Sequence, residues 1–149
     1  GKGLIGKEKF KKIHKIIYRC TGPELTIENL DRFFKYIYNL GDSIVYIDEI
    51  AQCCVNPLKY PKHMKYLYQQ GRELFIGVWG STQRPKDIAK FCMTESTHYF
   101  IFRLNSVDDR KKVASDCSHD SFKEKLNGHY FRYWRGDKDI EPVTSILKI

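Results

Sequence analysis

Hydrophobic residues between Thr26 and Gly41 recur every three or four positions, which is the spacing of one face of an α-helix. Thr26 has the hydroxyl that often caps the start of a helix, and Gly41 stands where a terminating glycine belongs. The apolar face consists of Ile27, Leu30, Phe33, Phe34, Ile37 and Leu40. The pattern therefore predicts an amphipathic helix packed on a core.

Continuous apolar runs rich in β-branched and aromatic residues predict strands. The core strands are predicted at Ser43–Ile47, 74–79 and 98–104. A short strand is predicted at 16–18, and a hairpin from 129–134 and 143–148 across Arg135-Gly136-Asp137. Further helices are predicted from Pro61 to Gly71, around 87–91, and at 107–115 as a polar, exposed helix.

Strands that alternate with helices favour right-handed βαβ crossovers and a mostly parallel sheet. The sequence contains no internal repeat, low-complexity tract or composition break that would divide it. We therefore predict one α/β domain over residues 1–149, long enough to bury a core.

Charge narrows the range of partners. Lys and Arg number 26 against 18 Asp and Glu, a formal charge of +8. Such a balance favours a polyanionic partner such as nucleic acid, although a solvated lysine face explains it equally well. The five cysteines form no Cys-x-x-Cys pair, which fits a reducing compartment such as the cytoplasm. We expect no membrane span and no secretory signal.

Two adjacent acids, Asp48 and Glu49, directly follow the apolar run Ser43–Ile47. Ligands of open α/β sheets bind beyond the carboxyl ends of the strands. There one carboxylate can hold Mg²⁺ through water, and a second can accept a proton from a water that attacks a γ-phosphate. The alternative is a strand that simply ends in two solvated acids.

The strand predicted at 74–79 is bracketed by two further candidates. Gln83 follows it in a polar loop closed by Pro85, and its amide can both donate to and accept from a phosphate or a water. Arg72 precedes the strand, at the end opposite Asp48, from where it could reach a nucleotide on a neighbouring subunit. An ordinary polar loop and a surface arginine are the competing interpretations.

Three segments in this order resemble the HerA/FtsK superfamily of P-loop ATPases, and within it the viral DNA-packaging ATPases. They are Ile44-Val45-Tyr46-Ile47-Asp48-Glu49, Gly71-Arg72-Glu73-Leu74 and Gly80-Ser81-Thr82-Gln83-Arg84-Pro85. The run from Ser96 to Leu104 also resembles the family's following strand, so the likeness covers roughly residues 16–104.

The resemblance implies a RecA-like core that binds ATP and Mg²⁺ and moves double-stranded DNA as a homo-oligomeric ring, a hexamer or similar. It implies Asp48 at Mg²⁺, Glu49 as the base, Gln83 as the sensor and Arg72 as an arginine finger acting in trans. Arg84 and Arg103 are further nucleotide-proximal or interface candidates. A viral relative would work in the host cytoplasm or with the virion, beside a capsid or portal protein.

The sequence departs from this family at the phosphate-binding loop. Residues 1–7 read Gly-x-x-x-x-Gly-Lys, but Glu8 replaces the hydroxyl residue, and no strand precedes the motif. We interpret this match as fortuitous and expect the first strand and its loop to be missing. In the family that strand lies between the strand of Gln83 and the strand at Ile101, so its loss would leave two unpaired edges.

Three functions stay open at this point. The first is a DNA-translocating or packaging ATPase, and the second a catalytically inactive ATPase-like domain that binds DNA or a partner. The third is a toxin-like or secretion-related P-loop protein with a protein partner. For DNA contact the candidates are Lys59, Lys62 and Lys65, clustered with His63, although a solvated face explains them as well.

Overall fold

The computed structural model describes residues 16–138 and 140–148. Its helices are α1 Ile27–Leu40, α2 Lys62–Gln70, α3 Phe91–Thr94 and α4 Val107–Asp116. Its strands are β1 Ser43–Ile47, β2 Ile76–Gly80, β3 His98–Ile101, β4 Tyr130–Arg135 and β5 Val143–Ile146. Short 3-10 turns lie at Gly22–Glu24, Ile50–Cys53, Gly71–Leu74, Pro85–Asp87 and Asp120–Lys123.

Helix α1 has the bounds and the caps that the sequence predicts. The Thr26 hydroxyl accepts a hydrogen bond from the Asn29 N–H at 3.2 Å. Gly41 ends the helix with a positive φ of 62°, and its N–H donates to the Ile37 carbonyl. Since a positive φ strains any residue with a Cβ, glycine suits this position. The apolar face is turned to the core, where Phe34 is almost completely buried.

Strands β1 and β2 form a parallel pair, with the register running from Ser43 opposite Ile76 to Ile47 opposite Gly80. Helix α2 connects them and therefore runs back from the carboxyl end of β1 to the amino end of β2. Val45 and Ile47 are buried, whereas Ile44 and Tyr46 on the opposite face are exposed. The predicted βαβ unit is present.

The other strands form a second, antiparallel sheet in the order β3–β4–β5. His98 pairs with Arg135, and Tyr130 pairs with Ile146. The prediction of one mostly parallel sheet is therefore wrong for the described residues. No strand among the described residues lies between β2 and β3, and the backbone partners of β3 are on β4. Arg135 belongs to β4, so the connection to β5 begins after it.

Local conformations differ from the predictions in several places. Residues 16–18 form no strand, and the Tyr18 ring stacks on Phe33 with centroids 4.4 Å apart. The start of β2 shifts to Ile76, because Leu74 lies in a 3-10 turn and Phe75 is left-handed. The strand β3 ends at Ile101, and the predicted helix at 87–91 is split between a 3-10 turn and α3.

Helix α4 is not the exposed polar helix that its composition indicates. Val113 and Ala114 are buried in the core, and Asp109 is only 2% exposed. The core they join is one cluster that also contains Phe34, Met64 and Tyr99. A helix with this many charges still buries one side, because a short stripe of small apolar residues is enough to dock it.

Candidate functional site at the carboxyl end of β1 and β2

Backbone hydrogen bonds hold the segments that follow β1 and β2 together. The Ser81 N–H donates to the Ile47 carbonyl at 3.0 Å, and the Ile50 N–H donates to the Ser81 carbonyl at 2.8 Å. Between these bonds lies Glu49, whose backbone is left-handed with a φ of 55°. This turn places Asp48 and Glu49 beside residues 81–83, as expected for neighbouring parallel strands.

Asp48 is exposed and bound by a pair of hydroxyl groups. The Ser81 hydroxyl donates to its Oδ1 at 2.9 Å, and the Tyr46 hydroxyl lies 3.4 Å from the same oxygen. The two hydroxyl groups are 3.2 Å apart. Oδ1 is thereby oriented, while no hydrogen bond among the described residues engages Oδ2. A carboxylate of this kind can take one position of a hydrated Mg²⁺.

Glu49 uses both carboxylate oxygens. The Thr82 hydroxyl donates to Oε1 at 2.6 Å, and the backbone N–H of Gln83 donates to Oε2 at 3.1 Å. Thr82 in turn accepts from the Arg84 N–H at 3.2 Å. The loop after β2 therefore orients the carboxylate of the loop after β1. The Gln83 side chain itself is exposed.

Arg84 is tied to helix α4. Its Nε lies 3.8 Å from Oδ2 of Asp109, and its Nη2 lies 3.4 Å from Oδ2 of Asp87. The buried Asp109 also accepts the Lys86 N–H at 3.0 Å. Sequence reasoning missed Asp109. The sequence did contain a helix-capping pattern there, Ser106-x-x-Asp109. In the structure the Ser106 hydroxyl accepts a hydrogen bond from the Asp109 N–H at the start of α4.

Two other arginines lie apart from the acidic pair. Arg72 is exposed in the turn before β2, at the opposite end of the parallel pair from Asp48. Arg103 follows β3, is exposed, and donates from Nε to Asn105 Oδ1 at 3.2 Å. Within one copy of the chain, Asp48, Glu49 and the Gln83 backbone come together, and Arg72 does not join them.

A cleft of about 1110 Å³ separates β2 from β3. One wall includes residues 76–80 and the following residues 81–84. The other wall includes residues 98–105, among them Arg103. Among the described residues β2 pairs only with β1, and β3 only with β4. Both walls therefore present a strand edge without a backbone partner.

The lysine candidates lie around the start of α2. Lys59 is exposed in a turn closed by the hydrogen bond from the Val55 N–H to its carbonyl at 2.9 Å. Lys62 begins α2 with Nζ 5.5 Å from the centroid of the Tyr66 ring, and the nearby Tyr66 side chain raises the pKa of Lys62. Lys65 lies one turn further and is half-buried.

His63 fastens the same end of α2 to α1. Its N–H donates to Oδ1 of Asp31 at 2.6 Å, and its Nδ1 lies 2.8 Å from Oδ2. Partial burial alone would raise the pKa of the Asp31 carboxyl. The two hydrogen bonds and the charge of His63 outweigh burial and lower the pKa.

Metal-binding and redox chemistry have little support elsewhere in residues 16–138 and 140–148. No group of three or more His, Cys, Asp or Glu side chains in these ranges is arranged to hold a metal ion. The cysteines there are unpaired thiols. Burial raises the pKa of Cys53 and of Cys117 to about 12, so both are inert at neutral pH. None of the described helices combines the length and apolarity needed to cross a bilayer.

Solved structures of viral packaging enzymes resemble this chain. The genome-packaging NTPase B204 of Sulfolobus turreted icosahedral virus 2, in complex with ATP-γS, superposes with a TM-score of 0.62 at 16% identity. The match covers 81% of this chain and 59% of B204. The chain shares its fold with this NTPase. The resemblance to viral DNA-packaging ATPases is thus confirmed at the level of the fold.

Two more B204 structures agree. The complex with AMPPCP has a TM-score of 0.63 at 16% identity, covering 82% of this chain and 60% of B204. B204 of Sulfolobus turreted icosahedral virus, described as a DNA-packaging ATPase, has a TM-score of 0.64 at 19% identity, covering 85% and 63%. The chain thus spans about three fifths of B204. No protein-family model matches the sequence. No curated protein matches it either.

Proposed function

We propose that this chain is the carboxyl-terminal part of the core of an ATPase that translocates or packages double-stranded DNA. The observation that carries the proposal is the pairing of the Glu49 carboxylate with the loop after β2, through Thr82 and the Gln83 backbone. It joins an acidic pair and a polar loop at the carboxyl edge of parallel strands, where α/β proteins bind ligands. The B204 fold adds a nucleotide-binding precedent.

Each residue at this edge has a proposed role. Asp48 would hold Mg²⁺ through a water, since its Oδ2 accepts no hydrogen bond from the described residues. Glu49 accepts the proton of the water that attacks the γ-phosphate. The Gln83 amide contacts the γ-phosphate or that water, since it can donate and accept at once. When bound, Mg²⁺ neutralises the charge that develops on the phosphates.

The phosphate-binding loop is proposed to arrive with a strand that fills the cleft between β2 and β3. Two facing edges without partners favour this idea, because exposed edges invite pairing. A strand there would run beside the loop of Gln83 and deliver its following loop next to Asp48. The fact that the chain spans about three fifths of B204 is consistent with a segment outside it. Residues 1–7, with their Gly-x-x-x-x-Gly-Lys string, lie outside the described residues.

Positive side chains complete the proposed site. Arg84 and Arg103 line opposite walls of the cleft and are candidates for contact with a nucleotide or a neighbouring subunit. Arg72, at the far end of β2, acts in trans on the nucleotide of the next subunit in a homo-oligomeric ring, proposed to be a hexamer. Lys59, Lys62 and Lys65 neutralise DNA phosphates without reading sequence.

The test is an ATPase assay of the full-length protein with and without double-stranded DNA. Glu49→Gln is expected to lower kcat by at least about a hundredfold, the scale of general-base loss, while nucleotide binding persists. Glu73→Gln makes the same chemical change on an exposed residue at the other end of β2 and should leave kcat unchanged. Full turnover in Glu49→Gln would remove Glu49 from the base role.

The same assay separates the other functions. A protein that binds DNA or a partner but never hydrolyses ATP would be an inactive ATPase-like domain. Turnover that does not respond to DNA or salt would favour a secretion-type enzyme with a protein partner, because phosphate contacts by lysine make DNA binding salt-dependent.

A further inference from the structure

The antiparallel sheet β3–β4–β5 has one face turned to the core and one face open to solvent. Tyr99 and Trp134 are paired across β3 and β4 on the core side, where the centroid of the Trp134 ring lies 6.0 Å from that of Phe122. Because the side chains of a strand alternate between its faces, the neighbouring positions project away from the core. On these two strands most of the outward positions are aromatic, namely His98, Phe100 and Phe102 along and just after β3, and Phe131 and Tyr133 on β4.

We call these outward aromatic residues the aromatic platform, since their rings form a continuous series. The His98 ring stacks on the Tyr133 ring with centroids 6.0 Å apart. The Phe100 centroid lies 5.0 Å from that of Tyr133 and 6.2 Å from that of Phe131, and the Phe102 centroid lies 5.4 Å from that of Phe131. Phe100 and Phe102 are 47% and 49% exposed. A contiguous exposed apolar patch marks an interaction site, whereas single exposed rings are ordinary.

Basic residues lie at one end of this sheet. Because β3 and β5 both run antiparallel to β4, the segments that follow β3 and β5 lie at the same end as the segment that precedes β4. Arg103, His129 and Lys148 occupy these segments, and all three are exposed. The Leu147 N–H donates to the His129 carbonyl at 3.0 Å, which confirms that the segments adjoin.

The nearest acids in the sequence do little to offset this basic end. Glu124, which precedes His129, is held by the Arg132 guanidinium at 2.6 Å. Asp108, which follows Arg103, lies in the first turn of α4, where the positive amino end of the helix offsets its charge. A ligand that carries negative charge is therefore favoured at this end.

The opposite end of the sheet is closer to neutral. Arg135 is paired there with Asp137 through two hydrogen bonds of 2.9 and 2.6 Å, and Glu141 lies 2.9 Å from Nε2 of His119. No Asp or Glu occurs at the outward positions of the three described strands. The open face thus combines a series of rings without acids and a basic group of residues at one end.

We propose that the aromatic platform binds single-stranded nucleic acid, with unpaired bases stacked on its rings and phosphates directed to Arg103 and Lys148. Every base has a π-face, so such stacking accepts any sequence. Aromatic side chains on neighbouring strands of an open antiparallel sheet are a known arrangement for stacking bases. The bases of a duplex already stack on one another, so the platform selects unpaired strands.

This site is separate from the sites of the proposed function. The acidic pair lies on the parallel strands, and the lysines proposed to contact duplex DNA lie around α2. A strand placed in the cleft between β2 and β3 would pair with the backbone edge of β3, in the plane of the sheet. The platform side chains stand out of that plane, so both ligands can be present together.

The test measures binding of a dye-labelled oligothymidine of about 20 nucleotides to the full-length protein by fluorescence anisotropy, without ATP. Phe100→Ala should raise the dissociation constant about tenfold, the effect of losing one stacked base. Phe100→Tyr keeps a ring and should bind like the wild type, whereas Phe100→Leu keeps an apolar side chain without a ring and should bind like Phe100→Ala. Tyr36→Ala removes an exposed ring from α1 and is the control.

An abasic oligonucleotide of the same length separates stacking from charge, because it retains the phosphates and lacks the bases. It should bind the wild type more weakly than oligothymidine does, and Phe100→Leu should not weaken it further. Lys148→Gln should weaken both oligonucleotides and reduce the slope of log affinity against log salt by about 0.7. Melting temperatures of all variants show whether each one is folded, and the conservative pair Phe100→Tyr and Phe100→Leu still decides the question if Phe100→Ala is not.

Several results would overturn the site. They are equal affinity of the wild type for the two oligonucleotides, equal affinity of Phe100→Leu and Phe100→Tyr for oligothymidine, or no effect of Lys148→Gln. Self-association that Phe100→Leu abolishes while oligothymidine binding stays unchanged would instead assign the rings to a protein contact. Since no ATP is present, these results are independent of the outcome of the ATPase assay.

Discussion

The Thr82 hydroxyl donates a hydrogen bond to Oε1 of Glu49 at 2.6 Å and joins two loops that lie 33 positions apart in the sequence. The second oxygen of the same carboxylate accepts from the Gln83 backbone. A carboxylate bound at both oxygens has one orientation, so the reactive geometry proposed for Glu49 depends on a residue that touches no phosphate in the proposed scheme.

Replacement of Thr82 by valine should remove one of the hydrogen bonds between the two loops at nearly constant side-chain volume. Loss of this half-buried hydrogen bond should lower the free energy of unfolding by about 1 kcal/mol, measured by urea denaturation of the chain. In the full-length protein we expect kcat to fall about tenfold, because the carboxylate loses one of the two hydrogen bonds that fix its orientation. Thr82→Ser keeps the hydroxyl and serves as the control. Equal stability of the valine and serine variants would argue against the bond.

Replacement of Asp109 by alanine should be one of the most damaging changes on α4. It leaves the partly buried Lys86 N–H without its acceptor and removes the buried carboxylate that lies 3.8 Å from the Arg84 guanidinium. We expect a loss of about 2–3 kcal/mol in the free energy of unfolding. Asp108 lies in the same helical turn and is exposed, so Asp108→Ala should lower the free energy of unfolding by well under about 1 kcal/mol. Equal effects of the two changes would contradict the role of Asp109.

Gly80 is expected to tolerate no side chain. A Cβ there would contact Cδ1 of Ile50, lie 2.9 Å from its Cγ1 and 3.0 Å from the Tyr68 hydroxyl. Ile50 is buried, so its side chain has little room to turn away from an added Cβ. Gly80→Ala should cost about 1–3 kcal/mol, typical of overpacking. A Cβ at Gly77 would meet only Cγ1 of Ile44, at the ordinary contact distance of 3.5 Å. Gly77→Ala should therefore show a melting temperature close to that of the wild type in thermal denaturation.

The hydrogen-bonded pair of Asp31 and His63 should make stability depend on acid pH. The pKa of Asp31 is lowered in the folded state, so its contribution is complete above the ordinary value of 3.8 and is lost as the pH falls through the folded pKa. Asp31→Asn should therefore lose up to about 1 kcal/mol at pH 7, because the pair is partly exposed. Urea midpoints of wild type and variant should converge as the pH is lowered from 5 to 2. A constant difference would exclude the linkage.

Local patterns predicted part of the fold. Helix α1 and strand β1 follow from spacing and caps within a few residues, and the βαβ connection follows from the handedness of parallel crossovers. In the pairing of β3 with β4, Ile101 lies opposite Arg132. The two residues are far apart in the sequence, so a local pattern could not predict that they pair. The left-handed Phe75 was missed because positive φ is unusual for a bulky residue.

In the candidate site, too, some features were predicted from the sequence and others depend on the folded structure. Asp48, Glu49 and Gln83 were predicted to lie near one another because each follows an apolar run, and the structure brings the two loops together. The hydroxyl groups of Ser81 and Thr82 had no assigned part in the prediction. Their partners depend on the register between β1 and β2, which is a property of the folded sheet.

The cleft between β2 and β3 also separates the two backbone ladders of the chain. No ladder among the described residues crosses it, so β1–β2 and β3–β4–β5 share no strand-to-strand hydrogen bonds and contribute to one common core. Two ladders joined in this way can open at different free energies, and amide protons on either side report them separately. A segment that bridged both edges would make them one cooperative unit, and mass action would link the stability of the chain to the concentration of that segment.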